Sequence, residues 1–384
     1  MVLRLSKPLL TNSFFLFGAR GVGKSTLIRQ LIKKNAYLID LLDDEVFDRY
    51  LLEPKLLEKI VNGQKYEWII IDEIQRCPKL LNIVHKLIEE KKQKFALTGS
   101  SSRKIKRGGA NLLAGRAFVN VLYPFTSLEL KNNFDLTEAL HWGSLPKIFE
   151  LKTDAEKKSY LRSYSITYLK EEIIAEQIVR NLEPFREFLT IAAQCAGQVI
   201  NYSNIARDVG AQSPTVKTYF QILEETYIGF YLPQFHRSIR KSQIESPKFY
   251  FFDNGVQKAL EASLDSKPIK GTAAYGHLFE SFVIQEIFRL NEYFQKDYRL
   301  SFYRTKHGTE IDLVLSKGRK TILIEIKSSF KIDQKEVNAF NKIADDFGSD
   351  SECYYLSQDS IEYKHEKIHC LHWQNFIKKF EKIK

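Results

Sequence analysis

Residues 14–26 read Phe14-Phe15-Leu16-Phe17-Gly18-Ala19-Arg20-Gly21-Val22-Gly23-Lys24-Ser25-Thr26. The run is apolar, then glycine-rich, then opens an amphipathic stretch, STLIRQLIKK, from Ser25. Such an order predicts a buried strand, a loop and a helix. From Gly18 the loop fits the pattern G-x-x-x-x-G-K-[ST]. Its glycines let backbone N–H groups turn toward phosphate oxygens, and the helix that follows offers its amino end to the anion. Residues Gly18, Ala19, Arg20, Gly21, Val22, Gly23, Lys24, Ser25 and Thr26 are therefore the expected nucleotide cradle. Lys24 is expected on the β and γ oxygens and Ser25 on Mg2+, which makes ATP and Mg2+ the expected cofactors.

Working outward, strand-like runs recur at AYLID (36–40), EWIIID (67–72) and KFALTG (94–99), each separated by a helical pattern. This rhythm predicts an α/β class with a parallel sheet covered by helices on both faces. The acidic pair after the third run adds chemistry. Asp72, at the end of a buried strand, is placed to support Mg2+, and Glu73 to orient and deprotonate the attacking water. Thr98 ends the next strand, where its hydroxyl could sense a γ-phosphate. Arg103, Arg107 and Arg116 in the following stretch are arginine-finger candidates, because charge builds on the phosphoryl oxygens during transfer. Lys104 and Lys106 read equally well as a solvated face.

The chain has 384 residues, 44% of them hydrophobic and 27% charged, which suits two or three folded domains. It holds 58 basic and 47 acidic side chains, a formal net charge of +11 that suits a polyanion such as DNA. Cys77, Cys195, Cys353 and Cys370 are scattered, as expected of reduced thiols in a cytoplasmic protein. The stretch HEKIHCLHW (365–373) holds metal-capable side chains but reads better as a short strand before a terminal amphipathic helix. There is no 18-residue apolar run and no cleavable leader, so no membrane role is expected.

The phosphate loop, IIIDEIQ, LTGSS, LAGR, YPFTSLEL and WGSLPKIF together resemble the bacterial and archaeal AAA-type ATPases that carry a C-terminal domain of unknown function. The resemblance covers essentially the whole chain and implies an ATPase. Family members usually have a glycine pair where this chain has Trp142-Gly143. The segment NYSNIARDVGAQSPTVKTYFQILEETYIGFYL (201–232) is similar to that family's winged helix. On its own terms it reads as a short helix from Asn204, a turn at Gly210–Gln212, and a second helix with Ser213 as N-cap and Pro214 first. A helix-turn-helix reader would then present Thr215, Lys217 and Thr218 to base edges, with Arg237, Arg240 and Lys241 as a basic wing. A lid or subunit contact is the other reading of this module.

One further stretch, TEIDLVLSKGRKTILIEIKSS (309–329), reads as two strands about a turn at Gly318. It carries Asp312, Glu325 and Lys327 where apolar residues would serve. Glu325 and Lys327, two apart, share a face, and Asp312 can join them across the ladder. With Glu280 on the preceding helix, this set resembles the PD-(D/E)xK restriction-endonuclease-like nucleases, with Ile311 where the motif's name has Pro. The resemblance implies Mg2+ on Glu280, Asp312 and Glu325, and a water-activating Lys327. A neutralised ion pair in a non-cutting domain is the alternative.

The expected organisation is a P-loop ATPase core at 1–125, a helical lid at 126–189, a winged helix at 190–262 and a nuclease-like α/β domain at 263–384. Its expected function is that of a DNA-directed ATPase, assembled as a homo-oligomer. A non-cutting DNA motor and a nucleotide-gated switch bound to a protein partner are the alternatives.

Overall fold

The computed structural model describes residues 2–33, 35–101, 113, 115–168, 182–236, 245–305, 308–348 and 351–383. Strands β1 (Ser13–Phe17), β2 (Ala36–Asp40), β3 (Trp68–Asp72), β4 (Lys94–Gly99) and β5 (Ala117–Val121) form one parallel sheet. Their order is β2-β3-β4-β1-β5. Alternate side chains feed two cores, as strands buried on both faces require. Phe14, Leu16 and Ile70 point to one face, and Phe15, Phe17, Ile69 and Ile71 to the other. Helix Lys24–Leu31 covers the first face; helices Asp44–Leu52, Leu56–Gly63 and Leu80–Lys91 supply residues to the second. Because β4 lies between β1 and β3, the ends of all three strands meet beside the glycine loop. Ligands bind at such a place in parallel sheets.

The middle region opens with short helices at Ser127–Leu130 and Leu136–Trp142, then Asp154–Ser163 and a wider turn at Tyr164–Tyr168. Helices Leu182–Gln194, Tyr202–Asp208 and Ser213–Glu225 follow, then an antiparallel pair, β6 (Gly229–Leu232) and β7 (Lys248–Phe251). Two expectations need correction. Helix Leu182–Gln194 runs straight through the expected division at 189/190. Ser213 is the first residue of its helix and not the N-cap; Gln212 holds that position without a side-chain hydrogen bond. The Asp253 side chain caps helix Asn254–Leu260 through the Val256 N–H. This region shares one continuous core with the first sheet, from Phe14 and Leu16 through Tyr164 to Phe188 and Phe251.

Helix Ala273–Tyr293 begins the last region. Strands β8 (Arg299–Arg304), β9 (Glu310–Lys317), β10 (Lys320–Ile326), β11 (Ser351–Ser357), β12 (Tyr363–His365) and β13 (Ile368–His372) form a mixed sheet ordered β12-β13-β11-β10-β9-β8. The β9–β10 hairpin turns at Gly318, whose φ is +60°. Helix Gln334–Ala344 precedes β11, which is parallel to β10. The stretch from His365 is a short strand and a terminal helix, Trp373–Phe380. Among the described residues, no helix is long and apolar enough to cross a membrane.

A buried polar knot ties the three regions. Arg289, 2% exposed, donates to the carbonyls of Phe125 at 3.0 Å and Phe252 at 2.6 Å, and to Ser144 Oγ at 3.1 Å. It pairs with Glu286 at 3.5 Å, and the other oxygen of Glu286 accepts from the Ser127 N–H and hydroxyl. The Asp253 carboxylate accepts from the Ser144 N–H at 2.6 Å. Gly143 is required here: its φ is +76°, and a Cβ would sit 2.0 Å from Asp253 Oδ1. Removing one partner of a buried pair costs roughly 3–5 kcal/mol, since the other charge is left uncompensated. Arg289→Ala is accordingly expected to lower unfolding free energy by about that amount in urea titrations. Arg289→Lys should recover only part of it, because one ammonium cannot span the separated carbonyls.

Candidate functional site

The glycine loop leaves β1 at Gly18, where φ is +148° and a Cβ would lie 2.2 Å from the Leu122 carbonyl oxygen. No side chain fits there. Lys24 is buried, and its ammonium donates to the carbonyls of Gly18 at 2.8 Å and Ala19 at 3.2 Å. The Ser25 hydroxyl donates to Asp72 Oδ2 at 2.7 Å, and the Thr98 hydroxyl donates to the other Asp72 oxygen. Strand order brings these residues together: Asp72 ends β3, Thr98 lies at the end of β4, and the loop follows β1. A hydroxyl and a carboxylate side by side are hard oxygen donors, and so fit Mg2+.

Glu73 adopts a left-handed backbone, φ 58° and ψ 48°, and its N–H donates to Thr98 Oγ1 at 3.1 Å. A non-glycine residue in that region is strained, and such strain gathers at functional sites. Its carboxylate accepts from the Gln75 amide and, at 3.2 Å, from the Ser100 hydroxyl, while Gln75 also donates to Ser100 at 2.9 Å. Glu73 is thus oriented from two sides. The middle region leans on the loop as well. The Tyr164 hydroxyl donates to the Arg20 carbonyl at 2.8 Å, and the Tyr160 hydroxyl would lie 3.3 Å from a Cβ at Gly21.

Arg116 lies elsewhere. Ala117, its neighbour, pairs with Ser13 at the start of β1, whereas the loop begins after Phe17. Four strand steps of ~3.3 Å put Arg116 roughly 13 Å away, at the opposite end of the sheet. Its guanidinium donates to Glu89 on the half-exposed surface. A γ-phosphate sensor in its own subunit is therefore ruled out by the direction of β5. Arg103, Arg107, Lys104, Lys106, Arg237, Arg240 and Lys241 lie outside the described residues.

The last region holds a second cluster. Asp312 on β9 is buried and accepts from the Ile326 N–H at 2.7 Å. Lys327, just past β10, reaches Glu325 Oε1 at 2.5 Å and Asp312 Oδ2 at 3.8 Å. Glu280 accepts from the Tyr250 hydroxyl at 3.0 Å and lies 3.8 Å from the Lys248 ammonium. Lys248, from β7, also pairs with Glu310. Burial and the Asp312 charge push Glu325 up to about 8 and Glu280 up to about 7. Lys327 moves up because both carboxylates favour its charged form over the cost of burial. The expected metal site of Glu280, Asp312 and Glu325 is not assembled. Among the described residues, no three acidic, histidine or cysteine side chains could hold a metal ion. Here the cluster is neutralised by two ammoniums instead, so this arrangement does not fit a divalent cation. Nor does the stretch from His365 to Trp373 gather such a group.

Residues 11–131 match the family described as an AAA domain. Residues 133–267 and 275–376 match two domains of unknown function, DUF8612 and DUF4143. The amino-terminal unit is a P-loop ATPase domain. The chain is 24% identical over 316 residues to the uncharacterized proteins Mb2031c of Mycobacterium bovis and Rv2008c of Mycobacterium tuberculosis, spanning 81% of this chain and 69% of each relative. Among solved structures it is similar to the replication initiator DnaA bound to AMPPCP and single-stranded DNA (TM-score 0.28, 14% identity, 56% of this chain and 82% of that one). It is also similar to protein VC1899 from Vibrio cholerae (TM-score 0.21, 11% identity, 96% of both chains).

Sequence reasoning missed Gln75 and Ser100 in the ATPase domain, although both lie within the quoted motifs IIIDEIQ and LTGSS. It also missed Glu310, two residues before Asp312 on the same strand, a spacing that was readable. Lys248 and Tyr250 carried no signal, since they open an ordinary apolar run far along the chain. The raised carboxylates set a sign for pH. A carboxyl group that titrates near 8 when folded and near 4.5 when unfolded holds more protons in the native state between those values. Its stabilising contribution is full below 4.5 and is lost as pH rises through about 8. Denaturant stability should therefore fall across this window, and Glu325→Gln should flatten the profile.

Proposed function

We propose that this chain is a DNA-directed ATPase in which nucleotide state at the glycine loop is passed to the middle and C-terminal regions. The observation that carries the reading is the Tyr164 hydroxyl on the Arg20 carbonyl, a direct link between loop and middle region. The continuous core across the two reinforces it. ATP would sit on the loop from Gly18 to Thr26, with Lys24 against its phosphates. Ser25 and Asp72 would hold Mg2+, whose charge would offset that building on the transferring phosphoryl group. Glu73, oriented by Gln75 and Ser100, would take the proton of the attacking water.

Three helices followed by an antiparallel pair support the winged-helix reading of residues 182–251. Lys217 is exposed on the first turns of helix Ser213–Glu225, between Thr215 and Thr218. The basic surplus and the sequence from Arg237 to Lys241 favour a phosphate backbone as partner. A helix, three antiparallel strands, a helix and a parallel fourth strand support a restriction-endonuclease-like C-terminal domain. The paired ammoniums favour a non-cutting role for it in this state. A homo-oligomer is part of the proposal, in which Arg116, paired with Glu89 at the far end of its own sheet, would serve a neighbouring subunit's nucleotide.

Two experiments test this. Glu73→Gln should retain ATP but lose hydrolysis by about 100-fold or more, the usual scale for a positioned base, while Lys24→Ala should lose productive binding. Wild-type turnover by Glu73→Gln would remove the assigned base. Duplex or single-stranded DNA should stimulate the ATPase, with binding that weakens steeply as salt rises. Lys217→Ala should reduce that stimulation. A rate indifferent to every DNA tested would transfer the winged helix to a protein-binding role.

A further inference from the structure

Helix Ser213–Glu225 presents an exposed stripe of Lys217, Gln221 and Glu224 at successive turns. That stripe lines a cleft of about 490 Å3, into which the C-terminal sheet brings Arg299 of β8. The two walls are tied at their base: the Phe302 N–H donates to the Pro233 carbonyl at 3.0 Å, and the Phe235 N–H donates to the Phe302 carbonyl at 2.5 Å. Two half-buried tyrosines, Tyr202 and Tyr231, also line the cleft. Their rings rest on Phe220, with centroids 6.0 and 6.3 Å from it, and their hydroxyls share a hydrogen bond. The Lys217 ammonium stands 5.2 Å from the Tyr202 ring centroid, so a flexible side chain covers that face of the ring.

These groups fit one class of ligand. Bases of a duplex stack on one another and offer no face to a tyrosine, whereas unpaired bases stack readily on aromatic rings. Lys217 and Arg299 bring positive charge from two walls toward the phosphates of such a strand. Glu224 and Glu245 line the cleft too, so it is no simple phosphate trap. A carboxylate facing a nucleic acid needs a donor, and the exocyclic amines of cytosine and adenine supply one. Thymine has no such amine and flanks its one ring N–H with two carbonyls, which repel a carboxylate. We propose that this cleft takes single-stranded DNA, with a base stacked on Tyr202, phosphates against Lys217 and Arg299, and Glu224 selecting amine-bearing bases. Lys217 then exchanges the ring for a phosphate, a move that its four-carbon stem allows. The inference deepens the DNA-directed reading and rests on it.

Fluorescence anisotropy of the full-length protein with labelled oligomers of about 12 nucleotides tests this. Oligodeoxycytidine should bind about tenfold or more tightly than a duplex of equal length, and several-fold more tightly than oligothymidine. Tyr202→Ala and Arg299→Gln should each weaken the single strand by about tenfold, and Tyr202→Phe should not, since it keeps the ring. Glu224→Gln should erase the difference between cytosine and thymine, because an amide both accepts and donates. Duplex bound as tightly as the single strand would overturn the inference and leave the DNA-directed reading standing. No binding to any of these oligomers at low salt would overturn both. Unchanged single-strand affinity in folded Tyr202→Ala and Arg299→Gln would overturn the cleft as the site. Equal binding of oligodeoxycytidine and oligothymidine by wild type would overturn the selection assigned to Glu224. Thermal melts establish which variants are folded, and wild type supplies an arm that needs none of them. Ultraviolet crosslinking to an oligomer carrying 5-iododeoxycytidine, mapped by mass spectrometry, should label Tyr202 or Tyr231. Labelling confined to other residues would overturn the site.

Discussion

The Arg289 guanidinium is the constraint on which the arrangement of this protein depends. It sits where the end of the ATPase domain, the cap of helix Asn254–Leu260 and the long helix Ala273–Tyr293 meet, and it bonds to all three. Only an arginine could do so, since its planar fork presents five donors in fixed directions. A buried charge is weak evidence for stability, because apolar packing often serves as well. Its value here is geometric. Each carbonyl that accepts from it must stand at one angle, so the three regions are held at one relative setting. The Arg4–Glu129 pair adds a second brace, with Glu129 also receiving the Leu5 N–H.

That setting matters because the glycine loop touches its neighbours. The loop is contacted from the middle region by Tyr164 and approached by Tyr160, and both belong to the segment that leads on to helix Leu182–Gln194. A phosphate that draws the Lys24 ammonium away from the Gly18 and Ala19 carbonyls must disturb the same few residues. A rigid connection then transmits a small shift instead of absorbing it, since packed cores are not continuously deformable.

Charge distribution separates the two clusters. In the ATPase domain the acidic groups are met by hydroxyls, amides and N–H groups, which position them while leaving room for a cation's charge. In the C-terminal domain two ammoniums already meet the carboxylates, and desolvation raises Glu280 and Glu325 toward neutrality. Similar residue types therefore have opposite readiness for a metal ion.

Local pattern was enough for the elements and for the first cluster. The strand-loop-helix at Phe14, the acidic end of β3 and the threonine ending β4 are each contained in a few consecutive residues. Parallel strand order then places their carboxyl ends together with little freedom. The β9–β10 hairpin was legible for the same reason, through alternation and a glycine at the turn. Tertiary structure alone decided the rest. The direction of β5 took Arg116 away from the glycine loop, and no property of the residues around it could have indicated that. Lys248 meets Glu310 across 62 positions of sequence, and Arg289 meets Phe125 across 164. Pairings of that kind follow from how regions pack, and a side chain's local pattern records its strand or helix but not the partner waiting beyond it.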